Sequence, residues 1–177
     1  MRIAFAFILA FSTSAFAASP YKQSLANKSN AYLQDGVFTG GRAGMGSSLL
    51  NVRRTYSQRA AIERVIVDLG DQDMRPTGKK MPYFQASVDA KANRVIVDLA
   101  QLQMSRVTET QLKKLFRSSP YVASVEYSVD PADKTGSIIL NLKRPMKLEV
   151  FQLLAAKKPS RVVLDLTPAA VTSVKRR

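Results

Sequence analysis

One hexapeptide governs what this chain can become. Arg-Val-Ile-Val-Asp-Leu occurs at 64–69 and again, unchanged, at 94–99. Arg-Val-Val-Leu-Asp-Leu follows at 161–166, and Ser-Ile-Ile-Leu-Asn-Leu at 137–142 is a polar-diluted relative. β-branched residues in strict alternation define strands. Val95, Val97 and Leu99 point one way, toward a core, while Arg94, Ile96 and Asp98 point the other. Arg and Asp therefore share an outward face, about 13 Å apart. The same parity places Arg64 with Asp68 and Arg161 with Asp165.

The rest of the chain supplies short runs of the same kind, divided by turn residues. They predict strands at 48–55, 61–70, 82–89, 94–101, 121–129, 137–143, 147–154 and 160–167. One helix interrupts them over 108–118. Thr108 and Gln111 have the capping-box spacing, Leu112, Leu115 and Phe116 share a face, and Pro120 forbids continuation. Turn residues at 90–93 and 131–136 divide neighbouring strands. Four strands precede the helix and four follow it, with the related strands second and fourth in each half. The pattern is a duplicated four-strand unit. It predicts a mainly β fold, a sandwich of two pseudo-symmetric four-stranded sheets with one connecting helix and the charged faces outside.

The ends read differently. Met1-Arg2, the apolar run 3–11 and Ala15-Phe16-Ala17 follow the order of a secretion signal, with cleavage expected after Ala17. That run is too short to span a bilayer, and no later stretch approaches the length needed. Residues 18–47, with five glycines and no sustained period, read as a flexible basic tether. Residues 48–168 form the folded unit, and 169–177 a basic tail ending in Lys175-Arg176-Arg177.

Composition narrows the chemistry. The chain has no Cys and no His. Disulfides, Cys/His metal sites and His- or Cys-based nucleophilic catalysis are thereby excluded. Asp71 and Asp73 lie in a loop and read as turn residues rather than a glycosidase pair. The expectation is no enzyme, no cofactor and no metal. The 27 Lys+Arg against 13 Asp+Glu give a net charge of +14. Outward Arg and Asp have two readings. Cross-strand ion pairing is the one that periodicity alone favours. Ligand recognition is the other, since Arg offers a planar fork to a carboxylate and Asp accepts from hydroxyl or amide donors.

Residues 48–168 resemble the AMIN domain, the N-terminal targeting module of periplasmic N-acetylmuramoyl-L-alanine amidases, related modules of which occur in pilus secretins. The resemblance rests on NVRR at 51–54, ERVIVDL at 63–69, NRVIVDL at 93–99, the Leu/Lys helix at 112–116 and KRPMKLEVFQLLAAKKPSRVVLDLTP at 143–168. It implies two symmetric sheets and peptidoglycan binding through exposed motifs. These correspond to Arg94 and Asp98, and to Arg161 and Asp165, with Arg64 and Asp68 as weaker candidates. The sequence departs from the pattern where Ala92 stands in the place that Pro159 fills later, and where Ser137 and Asn141 replace the charged pair. The face carrying Arg94 and Asp98 is therefore expected to bind less well.

Signal and module together imply a periplasmic, non-catalytic peptidoglycan-binding or localisation protein. The alternative is an assembly factor for a type IV pilus or secretion apparatus. It would act through contacts with envelope proteins such as an amidase, a secretin or divisome components. Charge alone raises nucleic acid as a partner. The export signal and the lack of an RNP-type aromatic strand argue against it.

Overall fold

The computed structural model describes residues 28–169. The expected signal 1–17, the first part of the expected tether and all but the first residue of the basic tail lie outside the described residues. Eleven strands and one helix follow in order: β1 (Lys28–Leu33), β2 (Gly36–Gly40), β3 (Ser47–Ser57), β4 (Ile62–Asp71), β5 (Phe84–Asp89), β6 (Arg94–Leu99), β7 (Leu102–Ser105), α1 (Glu109–Phe116), β8 (Val122–Val129), β9 (Gly136–Leu142), β10 (Met146–Leu153) and β11 (Ser160–Pro168). The fold is mainly β, as expected, and all eight anticipated strands are present within about two residues of their expected bounds.

The sheets differ from expectation in size and in ancestry. One has six strands, ordered β1-β10-β11-β4-β3-β7, and the other five, ordered β2-β5-β6-β9-β8. Three short edge strands account for the excess over four. Two of them, β1 and β2, lie within 28–40, so much of the described part of the expected tether is paired backbone. The reason is local. Val37-Phe38-Thr39 is β-forming sequence between two glycines, and it pairs with β5 at the sheet edge. Nor does each half of the chain make its own sheet. The hairpin β3-β4 of the first half joins β10-β11 of the second, and β5-β6 joins β8-β9. The related strands thus become the central pairs, β4 beside β11 and β6 beside β9, both antiparallel.

Alternation places the core as the sequence requires. Val65, Val67 and Leu69 of β4 and Val95, Val97 and Leu99 of β6 are all at most 1% exposed. One apolar cluster contains residues of both sheets and of α1. The helix begins in the expected capping box: the Gln111 N–H donates to Thr108 Oγ1 at 3.3 Å, and the Thr108 N–H to Gln111 Oε1 at 2.8 Å. It buries Leu112 and Phe116. The turn after β8 falls where the sequence places it, and its left-handed residue is not a glycine. Lys134, not Gly136, takes the left-handed backbone, with φ of 58°. Gly136 belongs to β9, where a Cβ would run into the Leu102 side chain, so the residue serves close packing there.

Candidate functional site

The outward faces of the two central pairs share one plan of three rungs, polar, apolar and polar. In the six-stranded sheet Arg161 lies opposite Asp68, Val163 opposite Ile66, and Asp165 opposite Arg64. In the five-stranded sheet Arg94 lies opposite Asn141, Ile96 opposite Ile139, and Asp98 opposite Ser137. Aligning the repeats, β11 with β6 and β4 with β9, superposes these rungs. Each ion pair of the first sheet has one charged member in the second.

The first face is closed on itself. Arg64 donates from Nε and Nη2 to the two oxygens of Asp165, both at 2.7 Å, in a fork-to-fork pair. Arg161 donates from Nε to Asp68 Oδ1 at 3.1 Å. Arg53 of β3 adds a second fork to the same carboxylate, at 3.0 and 2.8 Å. Asp165 is 1% exposed and Asp68 6%. Beside them Glu149 and Phe151 of β10 are also buried, with the Arg64 guanidinium 5.4 Å from the Phe151 ring centre. The expectation of outward, open carboxylates at Asp68 and Asp165 therefore needs correction, while the Arg161 side chain keeps 31% of its surface exposed. Outward parity is not exposure: the carboxylates are engaged by arginines and shielded by their neighbours. For Arg64, Asp68, Arg161 and Asp165, the ion-pairing reading describes what the strands do.

The second face is open. Ser137 Oγ donates to Asp98 Oδ1 at 2.6 Å, which leaves this carboxylate without an arginine. Arg94 faces the neutral Asn141, and its nearest anion is Asp89 of β5, 3.2 Å from Nη2. The Arg94 side chain is 40% exposed, yet its Nε is buried and has no hydrogen-bond partner among the described residues. Asn141 is held from the other side, donating from Nδ2 to Ser124 and Glu126 of β8. Asp89 is a turn acceptor as well. The Ala92 N–H donates to it, and this bond, with help from Arg94, holds its carboxyl below the usual range. The half-buried Ile96 and Ile139 lie between the polar rungs. The strip thus presents a cation, an anion, hydroxyl and amide groups and a small apolar centre on one face of the sheet.

Two further clusters bear on chemistry. Glu63 shares parity with Val65 and Val67 and is fully buried. Its oxygens accept from Arg54 at 2.9 Å and from Ser119 at 2.8 Å, while Arg54 also donates to the Leu115 carbonyl. This charge ties α1 to the strands. The inward parity of Glu63 was the signal in the sequence that could have found it. Elsewhere Arg42, Lys79, Lys80, Lys157 and Lys158 are exposed on segments joined by backbone bonds, Arg42 N–H to Met81 O and Gly78 N–H to Lys158 O. None has an acidic partner among the described residues, so positive charge concentrates there. Asp71 accepts from the Asp73 and Arg75 backbone N–H groups, as a turn residue does. Among the described residues no group of three or more side chains could hold a metal ion, and no helix is long and apolar enough to cross a membrane. No protein-family model matches the chain, and no curated protein matches it.

Proposed function

We propose that the chain is an AMIN-like, exported, non-catalytic module that binds peptidoglycan, built as a sandwich with its recognition strip on the outside of the five-stranded sheet. One observation carries the reading. The two ion pairs that close one central strand pair are opened in the other by Ser137 and Asn141, which leaves Arg94 and Asp98 half-available. Wall stem peptides combine carboxylates, amides and small methyl groups. Arg94 suits the first, Asp98, Ser137 and Asn141 the second, and the Ile96–Ile139 centre the third. The excess of basic over acidic residues and the cationic cluster of Arg42, Lys79, Lys80, Lys157 and Lys158 favour approach to a polyanionic wall. This ranking reverses the expectation that Arg161 and Asp165 would form the better face.

Sedimentation with purified sacculi tests the proposal. The double substitution Arg94→Ala and Asp98→Ala should lower affinity about tenfold, the value of one charge-assisted bond. Full pelleting of the folded double variant would remove this face from the binding site.

A further inference from the structure

A second surface lies where α1 passes β8. The groove between them has a volume of about 550 Å³. One wall is the helix flank carrying Lys113, Lys114 and Arg117, and the other is Ala123 and Ser124 of β8, with Phe116 at the base. β8 is the outermost strand of its sheet, paired with β9 on one side only. At eight residues it is the longest edge strand among the described residues, against six for β1, five for β2 and four for β7.

Long open edges invite pairing, and proteins usually blunt them with lysine, proline or brevity. β8 reads Val-Ala-Ser-Val-Glu-Tyr-Ser-Val and has neither lysine nor proline; its one charged side chain, Glu126, is taken by Asn141 Nδ2 at 2.7 Å. Its one register irregularity lies at its start, between Val122 and Ser124, so the pairing edge continues regularly beyond it. The opposite wall is cationic. Glu109 engages Lys113 at 2.9 Å, whereas Lys114 and Arg117 are exposed and have no acidic partner among the described residues. No acidic side chain lines the groove.

We infer that the β8 edge and the basic flank of α1 form a docking groove for an extended acidic segment of another protein. That segment adds to the sheet as a strand and turns its carboxylates toward Lys114 and Arg117. Main-chain bonds to β8 supply affinity, and the helix supplies the charge preference. A second copy of this chain is a poor occupant, because each copy brings a net charge of +14. The inference rests on β8 and α1 alone and does not depend on the wall-binding strip.

The full chain should be mixed with a synthetic peptide of about ten residues alternating Glu and Val, with the Lys/Val counterpart as control. Binding is read by fluorescence anisotropy, and amide hydrogen exchange is followed over residues 122–129. The acidic peptide should bind and slow β8 exchange. Lys114→Glu with Arg117→Glu, both on the exposed helix surface, should weaken it about tenfold while the far-UV spectrum stays unchanged. No binding, equal binding of the lysine peptide, or binding that leaves β8 exchange unchanged would each overturn the inference. So would concentration-dependent protection of β8 without peptide, which would make a second copy the occupant. Wild-type sedimentation of the charge-reversed variant with sacculi is expected and keeps this test separate from that of the wall strip.

Discussion

The hexapeptide at 64–69 and its identical copy at 94–99 meet different fates. Both lay valines and leucine against the core, and there they are indistinguishable: Val67 is 1% exposed and Val97 0%. On the outward side they diverge. Asp68 is gripped by Arg53 and Arg161, whereas Asp98 has a single bond from Ser137. Nothing inside either copy accounts for this. The neighbouring strands do, because β11 returns the complementary Arg and Asp in antiparallel register and β3 adds Arg53, whereas β9 returns Ser and Asn. A repeated strand is therefore a structural constant on one side and a variable on the other, set by its partner.

The strongest way to break this comparison is on the core side, where the copies should behave alike. Val67→Asp and Val97→Asp should each cost several kcal/mol and unfold the protein, because each buries a carboxylate without a partner. Thermal melts showing one of them tolerated would mean that the two sheets do not contribute equally to the shared core. The outward side should then separate the copies. Asp165→Ala removes the fork-to-fork acceptor of Arg64 on a face where the pair is largely shielded, and should cost about 2–3 kcal/mol by denaturant unfolding. Asp68→Ala releases two partly exposed arginines that water can take back, so about 1–2 kcal/mol is expected. Asp98→Ala should cost under about 1 kcal/mol. If Asp68 and Asp98 gave equal losses, the partner strand would not be what distinguishes them.

The smallest effect concerns acid. The Asp89 carboxyl is held below its ordinary value of 3.8 by the Ala92 N–H first and Arg94 second. A folded value below the unfolded one means a contribution fully present above the unfolded value and lost as pH falls through the folded one. A carbon-detected titration should place Asp89 below 3.8, and Arg94→Ala should move it part of the way back. An unchanged midpoint in that variant would show that Arg94 does not act on this carboxylate.

Much of the fold was legible because long strands of strict period two announce both their existence and their faces. The capping box of α1 and the inward set Val95, Val97 and Leu99 were readable for the same reason. The three edge strands were not. β2 is three β-formers between glycines. β7 is four residues, placed after Gln101, whose φ of 51° turns the chain, and its pairing with β3 is parallel and depends on tertiary context. The candidate site was legible as a set of residue types and not as a set of partners. Parity could place Arg64, Asp68, Arg161 and Asp165 outside. It could not say that β4 and β11 would lie side by side, because that pairing joins residues 101 positions apart in sequence. Which face was open followed from the pairing.

The same interleaving sets a timetable for folding. A chain emerging from its N-terminus carries β4 long before β11, and β6 before β9. Neither central pair can close while its second strand is missing. The six-stranded sheet, in particular, waits for Ser160–Pro168, the last of the described strands. Pairings of such long range are slow to form, since loop closure precedes any reward from contacts. Until then the alternating valines stay uncovered, and the chain must be kept from wrong pairing by other means. Folding of the six-stranded sheet is thereby held back until the last of the described strands is available, whatever the order in which the other strands meet.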